Sequence, residues 1–128
     1  MMKFSRQSRL LKPAEFKLVF NKPLRSGDDC FRILARPNEL QRHRLGMAVS
    51  KKAIAKAVGR NRIKRVIREN FRLKLDRSTL DKALDFVVLP TAEAANQSNK
   101  ALDESLSMHW RRLVRKAFEA SAGTRQDR

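Results

Sequence analysis

The stretch from Lys51 to Lys74 constrains this chain more than any other. Ten of its residues are basic: Lys51, Lys52, Lys56, Arg60, Arg62, Lys64, Arg65, Arg68, Arg72 and Lys74. One, Glu69, is acidic. At about 100° per residue, Ile63, Val66, Ile67 and Phe71 share one side of a helix. Asn61, Arg65, Arg68 and Arg72 share the opposite side, with Arg62 and Lys64 near the borders. Arg60 turns toward the apolar side, early enough to reach past a core. The spacing predicts a helix over roughly Ala55 to Leu75. Gly59, about 1 kcal/mol worse than Ala in a helix, leaves room for a later start. A solvated face ordinarily mixes signs, because like charges at i, i+4 repel. Here no acid interrupts Asn61, Lys64, Arg65, Arg68 and Arg72. Arginine predominates over lysine, and its planar fork suits bidentate phosphate contacts. The pattern calls for a core beneath the helix and a nucleic acid above it.

The remaining composition agrees. The chain has 30 basic and 13 acidic residues, so 30 − 13 gives a net charge of +17. Such charge strains a compact state by self-repulsion and is relieved by a polyanion. At 128 residues and 41% apolar, the chain suits one domain with a modest core. The single Cys30 excludes an intramolecular disulfide. No run of about 18 apolar residues is present to span a membrane, and the basic N-terminus has no apolar segment behind it to make a secretory signal. A soluble cytoplasmic protein is the expectation.

Around the basic helix the periodicity predicts a mixture of elements. Pro13 to Asn21 reads as a short helix, with proline in its first turn and Phe16, Val19 and Phe20 on one stripe. Arg25 to Cys30 has room for a short edge strand. Phe31 to Arg36 alternates, with Phe31, Ile33 and Ala35 on one face and Arg32, Leu34 and Arg36 on the other. Leu45 to Ser50 alternates large with small. Leu45, Met47 and Val49 can pack a core, and Gly46, Ala48 and Ser50 can floor a groove. A turn at Pro37-Asn38-Glu39 and a hairpin between these two strands is the simplest connection. After a polar break up to Leu84, Asp85 to Leu89 suits a strand covered on both faces. A last helix from about Ser98 to Phe118 carries Leu102, Leu106, Trp110, Leu113 and Ala117 at helical spacing. Its Arg111, Arg112, Arg115 and Lys116 lie near the end where the macrodipole favours cations. The expectation is an α+β domain over residues 1–118, a two-layer α/β sandwich, with a polar, disordered tail over 119–128.

The block Arg60-Asn61-Arg62-Ile63-Lys64-Arg65-Val66-Ile67-Arg68-Glu69 resembles the arginine-rich signature of the bacterial ribonuclease P protein subunit. Leu45 to Lys52 is similar to that family's strand and basic loop. Leu10-Leu11-Lys12-Pro13 through Phe16 and Phe20 is similar to its first helix. The resemblance covers roughly Arg9 to Lys116. It implies a small mixed sheet of about four strands with three helices and a left-handed β-α-β crossover, where general rules of chain handedness favour the right-handed form. It also implies that an RNA subunit carries the catalytic centre, holds Mg²⁺ and removes the 5′ leader of precursor tRNA, with this chain as a 1:1 partner. Arg60, Asn61, Arg62, Lys64, Arg65 and Arg68 would touch the catalytic RNA. Phe16 and Phe20 would line or support a leader cleft, with Lys51 and Lys52 nearby. Arg32, Arg36 and Ser50 join that cleft from the alternation described above. Surface solubility is the competing role for both arginines, and core packing for both phenylalanines. One departure stands out: Leu89-Pro90-Thr91-Ala92-Glu93 is neutral to acidic where the family often continues with basic residues.

The residues offer no catalytic constellation of their own. His43 and His109 are far apart, Cys30 has no cysteine partner, and no zinc spacing exists. The four glycines do not cluster into a phosphate loop. A Cys30/His43 nucleophilic pair has no motif, and a buried structural thiol is the plainer role. No metal site is expected on the protein, and no hydrolysis by the protein alone. A basic ribosomal or RNA-assembly protein without a catalytic role is the alternative. Sequence-specific DNA binding fits poorly, because base reading needs a mixture of side chains.

Overall fold

The computed structural model describes residues 12–38, 40, 42–75 and 83–126, with side chains up to residue 120. Glu39 of the expected turn, most of the polar break before Leu84, Leu10 and Leu11 of the first-helix block, and residues 127–128 lie outside that range. The elements run α1 (Pro13–Phe20), β1 (Leu24–Gly27), β2 (Phe31–Pro37), β3 (Arg44–Met47), α2 (Ala57–Lys74), β4 (Leu84–Pro90), a 3-10 turn (Ala92–Asn96) and α3 (Asn99–Gln126).

The sheet order is β1-β2-β4-β3. β1 and β2 form an antiparallel hairpin, β2 pairs antiparallel with β4, and β3 pairs parallel with β4. The hairpin expected between β2 and β3 is therefore absent, and β4 lies between them. The reason is burial. β4 reads Leu-Asp-Phe-Val-Val-Leu-Pro and is covered on both faces, so it takes the interior position. β3, which has only four residues, is left at the edge and joined to β4 through α2.

Alternation divides the sheet into two unequal faces. Ile33, Ala35, Leu45, Phe86 and Val88 face the main core with Ile63, Ile67 and Phe71 of α2 and Leu102, Leu106, Trp110 and Leu113 of α3. Trp110 meets Phe86 and Phe71 edge-on, with centroids 5.1 and 6.0 Å away, a favoured aromatic geometry. The second face carries Leu34, Val87 and Leu89, and α1 covers part of it through Val19 and Phe16. Two helices thus pack on one face, and the short α1 is added on the other.

Gly59 falls in the first turn of α2, where a Cβ would come 3.0 Å from Ile54 Cγ2. Close packing explains this glycine. Asn70 lies on the buried side of α2 and accepts the indole N–H of Trp110 (2.7 Å). Its amide in turn donates to Asp103 Oδ1 (3.2 Å). A polar residue on an apolar stripe is tolerated because each of its groups has a partner.

α3 does not stop at Phe118; its backbone is helical to Gln126. Ala117, Ala120 and Ala122 are strong helix formers, no proline intervenes, and Gly123 costs only about 1 kcal/mol.

A polar chain fastens α3 to the β1–β2 hairpin. Arg112 Nη1 donates to Ser26 Oγ (3.2 Å), and Ser26 Oγ lies 2.6 Å from His109 Nδ1. The Asp28 carboxylate faces Nε2 at 3.3 Å, which favours the neutral tautomer with its proton on Nε2, and Nδ1 then accepts the Ser26 hydroxyl. Burial pushes the His109 imidazole below its usual range, and Arg112 adds to this; the Asp28 carboxylate opposes them but does not prevail. His109 is fully enclosed, which is why burial dominates. Burial likewise acts to raise Asp28, but hydrogen bonds from Ser105, Phe31 and Cys30 outweigh it and lower the carboxyl overall. The unfolded chain takes up a proton near about pH 6.5 and the folded His109 ring resists it, so stability falls as pH drops through that region. Melting temperature is expected to decline between about pH 7.5 and about pH 5.5 in the wild type, and less so in His109→Gln. Parallel slopes would remove His109 from that dependence.

Candidate nucleic-acid interface

The helix that buries Ile63, Val66, Ile67 and Phe71 must turn its other side outward, away from the sheet. Asn61 and Arg65 are exposed, and Lys64 and Arg68 are half-buried. Among the described residues, Lys64, Arg65 and Arg68 pair with no acid, whereas Arg72 is tied to Glu69 (3.0 Å). Three uncompensated cations on two adjacent turns present donors without acceptors, which is what a phosphate backbone supplies.

Arg60 and Arg62 are placed differently. Arg60 Nη1 donates back to the carbonyls of Ile54 (3.0 Å) and Ala55 (2.7 Å). Arg62 Nη1 donates to Asn99 Oδ1 (2.6 Å), and its Nη2 to the carbonyls of Gln97 (3.2 Å) and Ala95 (3.3 Å). Both arginines therefore brace the entry to α2, and Arg62 locks α2 to the segment that starts α3. Arg60 turns toward the apolar side of the helix and Arg62 lies near its border, so both start within reach of the protein's own backbone.

The second face of the sheet assembles most of the other predicted residues. Phe16 is half-buried against the Val19–Val87 pair, on which Leu34 and Leu89 also pack. Val19 is the fully buried member of the α1 stripe, and Phe20 stays 48% exposed at its rim. Arg32 is exposed opposite Leu89. Arg36 Nη1 is engaged with the Leu18 carbonyl (2.9 Å), which closes the last turn of α1. Gly46 shares this face opposite Val87, and alternation puts Ala48 on the same side. Ser50 accepts the Ala53 N–H on Oγ (3.1 Å) and turns the chain toward α2. Lys51 and Lys52 are exposed on that turn. β4 separates β2 from β3, so Arg32 and the two lysines flank opposite sides of the strip formed by Val87 and Leu89. The result is a shallow apolar floor with cations on both margins and an aromatic ring at one end, a surface suited to single-stranded nucleic acid.

One cluster on this face has no signal in the sequence. Arg44 grips Asp85 with Nε to Oδ1 (2.8 Å) and Nη2 to Oδ2 (2.7 Å), and reaches Glu15 of α1 with Nη1 (2.7 Å). Asn38 also donates to Asp85 (2.8 Å). Glu15 in turn accepts the Lys12 backbone N–H (2.9 Å) at the start of α1. The hydrogen bonds that Arg44 donates to Asp85 raise its pKa and keep it charged, against the opposing effect of burial. The cluster fixes where α1 sits, and so the width of the strip beside it.

Cys30 is buried, and burial, then the charges of Asp28, Glu93 and Asp29, push its thiol up, so it is a poor nucleophile. His43 lies at the far end of the same strands and accepts the Leu84 N–H (2.9 Å). The two are separated by roughly the length of a seven-residue strand, about 20 Å. Among the described residues, no three His, Cys, Asp or Glu side chains gather as a metal site, and no helix is long and apolar enough to cross a membrane.

Comparison with known proteins agrees with this architecture. The family model for ribonuclease P matches residues 4–120. A ribonuclease P protein component from Methylococcus capsulatus is 43% identical over 119 residues, covering 93% of this chain and 91% of that protein. One from Aliivibrio fischeri is 47% identical over 112 residues, covering 88% and 93%. Among solved structures, the RNase P protein from Thermotoga maritima superposes with a TM-score of 0.68 at 30% identity, covering 84% of this chain and 96% of that one. A mutant of the Staphylococcus aureus RNase P protein gives 0.73 at 29% identity, covering 88% and 89%. With the family model matching residues 4–120 of the chain and relatives this similar, the chain belongs to the ribonuclease P protein family.

Proposed function

We propose that the chain binds the catalytic RNA along the outer side of α2 and the 5′ leader of precursor tRNA on the strip between α1 and β3. Family membership makes it a subunit of ribonuclease P, a tRNA-processing endoribonuclease, with ribonuclease P RNA as its partner. The observation that carries this division of surfaces is geometric. Unpaired Lys64, Arg65 and Arg68 lie on the side of α2 turned away from the sheet, and the apolar strip with Phe16, Phe20 and Arg32 lies on the sheet's other face. Two RNA segments can therefore be held at once without competing. Asn61 adds a hydrogen-bonding group to the α2 contact, and Arg60 and Arg62 set its angle while offering their remaining N–H groups. On the strip, Phe16 and Phe20 support a stacked base, Arg32 and Arg36 stand beside the leader phosphates, and Ser50, Lys51 and Lys52 close the far margin.

In this account the RNA holds Mg²⁺ and performs the cleavage. The protein reduces repulsion between phosphates and positions the leader, as a 1:1 complex in the cytoplasm. The test is reconstitution with ribonuclease P RNA from the same organism at low Mg²⁺. Added protein is expected to stimulate leader removal from precursor tRNA, and protein without RNA to leave the precursor intact. Lack of stimulation would overturn the proposal.

A further inference from the structure

Two of the four cations in the second half of α3, Arg111 and Arg115, lack a structural explanation. Arg111, Arg112, Arg115 and Lys116 would suit a helix C-terminus, where the macrodipole acts within the last turn. But α3 runs to Gln126, ten residues beyond Lys116, so the dipole does not account for them. Arg111 and Arg115, and likewise Arg112 and Lys116, are like charges at i, i+4, which disfavours the helix. Arg112 is engaged with Ser26 and Met108, and Lys116 with the Arg25 carbonyl. Arg111 and Arg115 are exposed with no side-chain partner among the described residues, and neighbouring Glu119 pairs with neither.

A second observation sits on the same line. Phe118 is 62% exposed. Taking Arg111 as reference, Arg115 and Phe118 lie about 40° and 20° to either side of it, opposite the buried Leu106, Trp110, Leu113 and Ala117. Nothing in the core asks for an aromatic ring there. Guanidiniums interleaved with an exposed ring combine phosphate binding with base stacking.

We propose that the outward stripe Arg111, Arg115 and Phe118 is a further contact for ribonuclease P RNA, with the arginines on backbone phosphates and Phe118 stacked on an unpaired base. The occupant follows from placement. α3 packs on the same face of the sheet as α2, toward the β1 edge, while α2 lies toward β3. The leader strip is on the opposite face. An RNA already held by α2 can extend across the helical layer, and a short leader would have to cross the sheet to do so.

The inference rests on the RNA-binding proposal above, so α2 variants serve as the reference. In the full chain, Arg111→Ala/Arg115→Ala is expected to weaken binding of ribonuclease P RNA about tenfold and to lower the log–log salt slope by about 1.4–1.8. Phe118→Leu is expected to cost about fivefold or more with the slope unchanged, and Phe118→Trp to keep affinity, since Trp retains the stacking face. Melting temperatures should not fall, because all three side chains are exposed and removing the arginine pair relieves repulsion. If these variants bind normally while Arg65→Ala/Arg68→Ala does not, the inference is wrong and the α2 assignment stands. If the α2 variant also binds normally, the underlying proposal fails. Loss confined to leader-bearing precursor, full affinity in Phe118→Leu, or Phe118-dependent self-association in sedimentation would each overturn the α3 site.

Discussion

Replacing Arg65 and Arg68 together with alanine is expected to weaken binding of ribonuclease P RNA about a hundredfold near physiological salt. Hydrogen bonds to charged groups contribute about 1.5–3 kcal/mol each, so two such contacts approach two orders of magnitude or more. The log–log salt slope should fall by about 1.4–1.8, the counterion release belonging to two phosphates. Neither side chain holds the fold. Arg65 is exposed, Arg68 is half-buried, and neither has a partner among the described residues. Lys64 and Arg68, and Arg68 and Arg72, stand one turn apart, so removing the middle charge relieves repulsion. Affinity should therefore drop with the melting temperature unchanged or slightly raised. Arg62→Ala is the informative contrast, because it cuts bonds to Asn99, Gln97 and Ala95 and should lower stability as well. A full-affinity double variant with an unaltered salt slope would detach this face from RNA binding.

Asp85→Ala is expected to cost about 3–5 kcal/mol, the range for removing one partner of a buried ion pair. For a chain of this size that is roughly 11–19 °C in melting temperature. The Asp85 side chain is only 9% exposed. Its loss leaves Arg44 with Glu15 alone and leaves Asn38 without its 2.8 Å acceptor. The functional consequence differs from that of the arginine pair. Arg44 joins α1 to the sheet, so a variant that still folds should hold the leader less well while keeping the α2 contact. Thermal unfolding and leader-dependent affinity, measured side by side, check both parts. A melting temperature within about 3 °C of wild type, below 1 kcal/mol by the same scaling, would show that the cluster does not anchor α1.

The contrast between these two sites shows what a sequence can reveal. The faces of α2 were legible because helical periodicity is local: each of Ile63, Val66, Ile67 and Phe71 is buried where its spacing puts it. The two faces of β2 were legible for the same reason. The position of β3 was not. A strand's alternation states which residues share a face but not which strand lies beside it, and only the coverage of β4 decided that. The Arg44–Asp85–Glu15 cluster joins residues from three elements, so it cannot be found without the register. Asn70 did leave a trace, as a polar residue beside Phe71 on an apolar stripe, and a buried Trp110 always needs a partner for its indole N–H. Arg60 and Arg62 matched the arginine-rich signature, yet their bonds to the protein depend on the path of residues 54–55 and 95–99, which no periodicity encodes.

Photocrosslinking in the reconstituted complex of protein, ribonuclease P RNA and precursor tRNA tests the separation of surfaces most directly. A crosslinker at position 65 is expected to label ribonuclease P RNA, and one at position 32 to label the 5′ leader. Leader crosslinks from position 65, or ribonuclease P RNA alone labelled from position 32, would contradict the account.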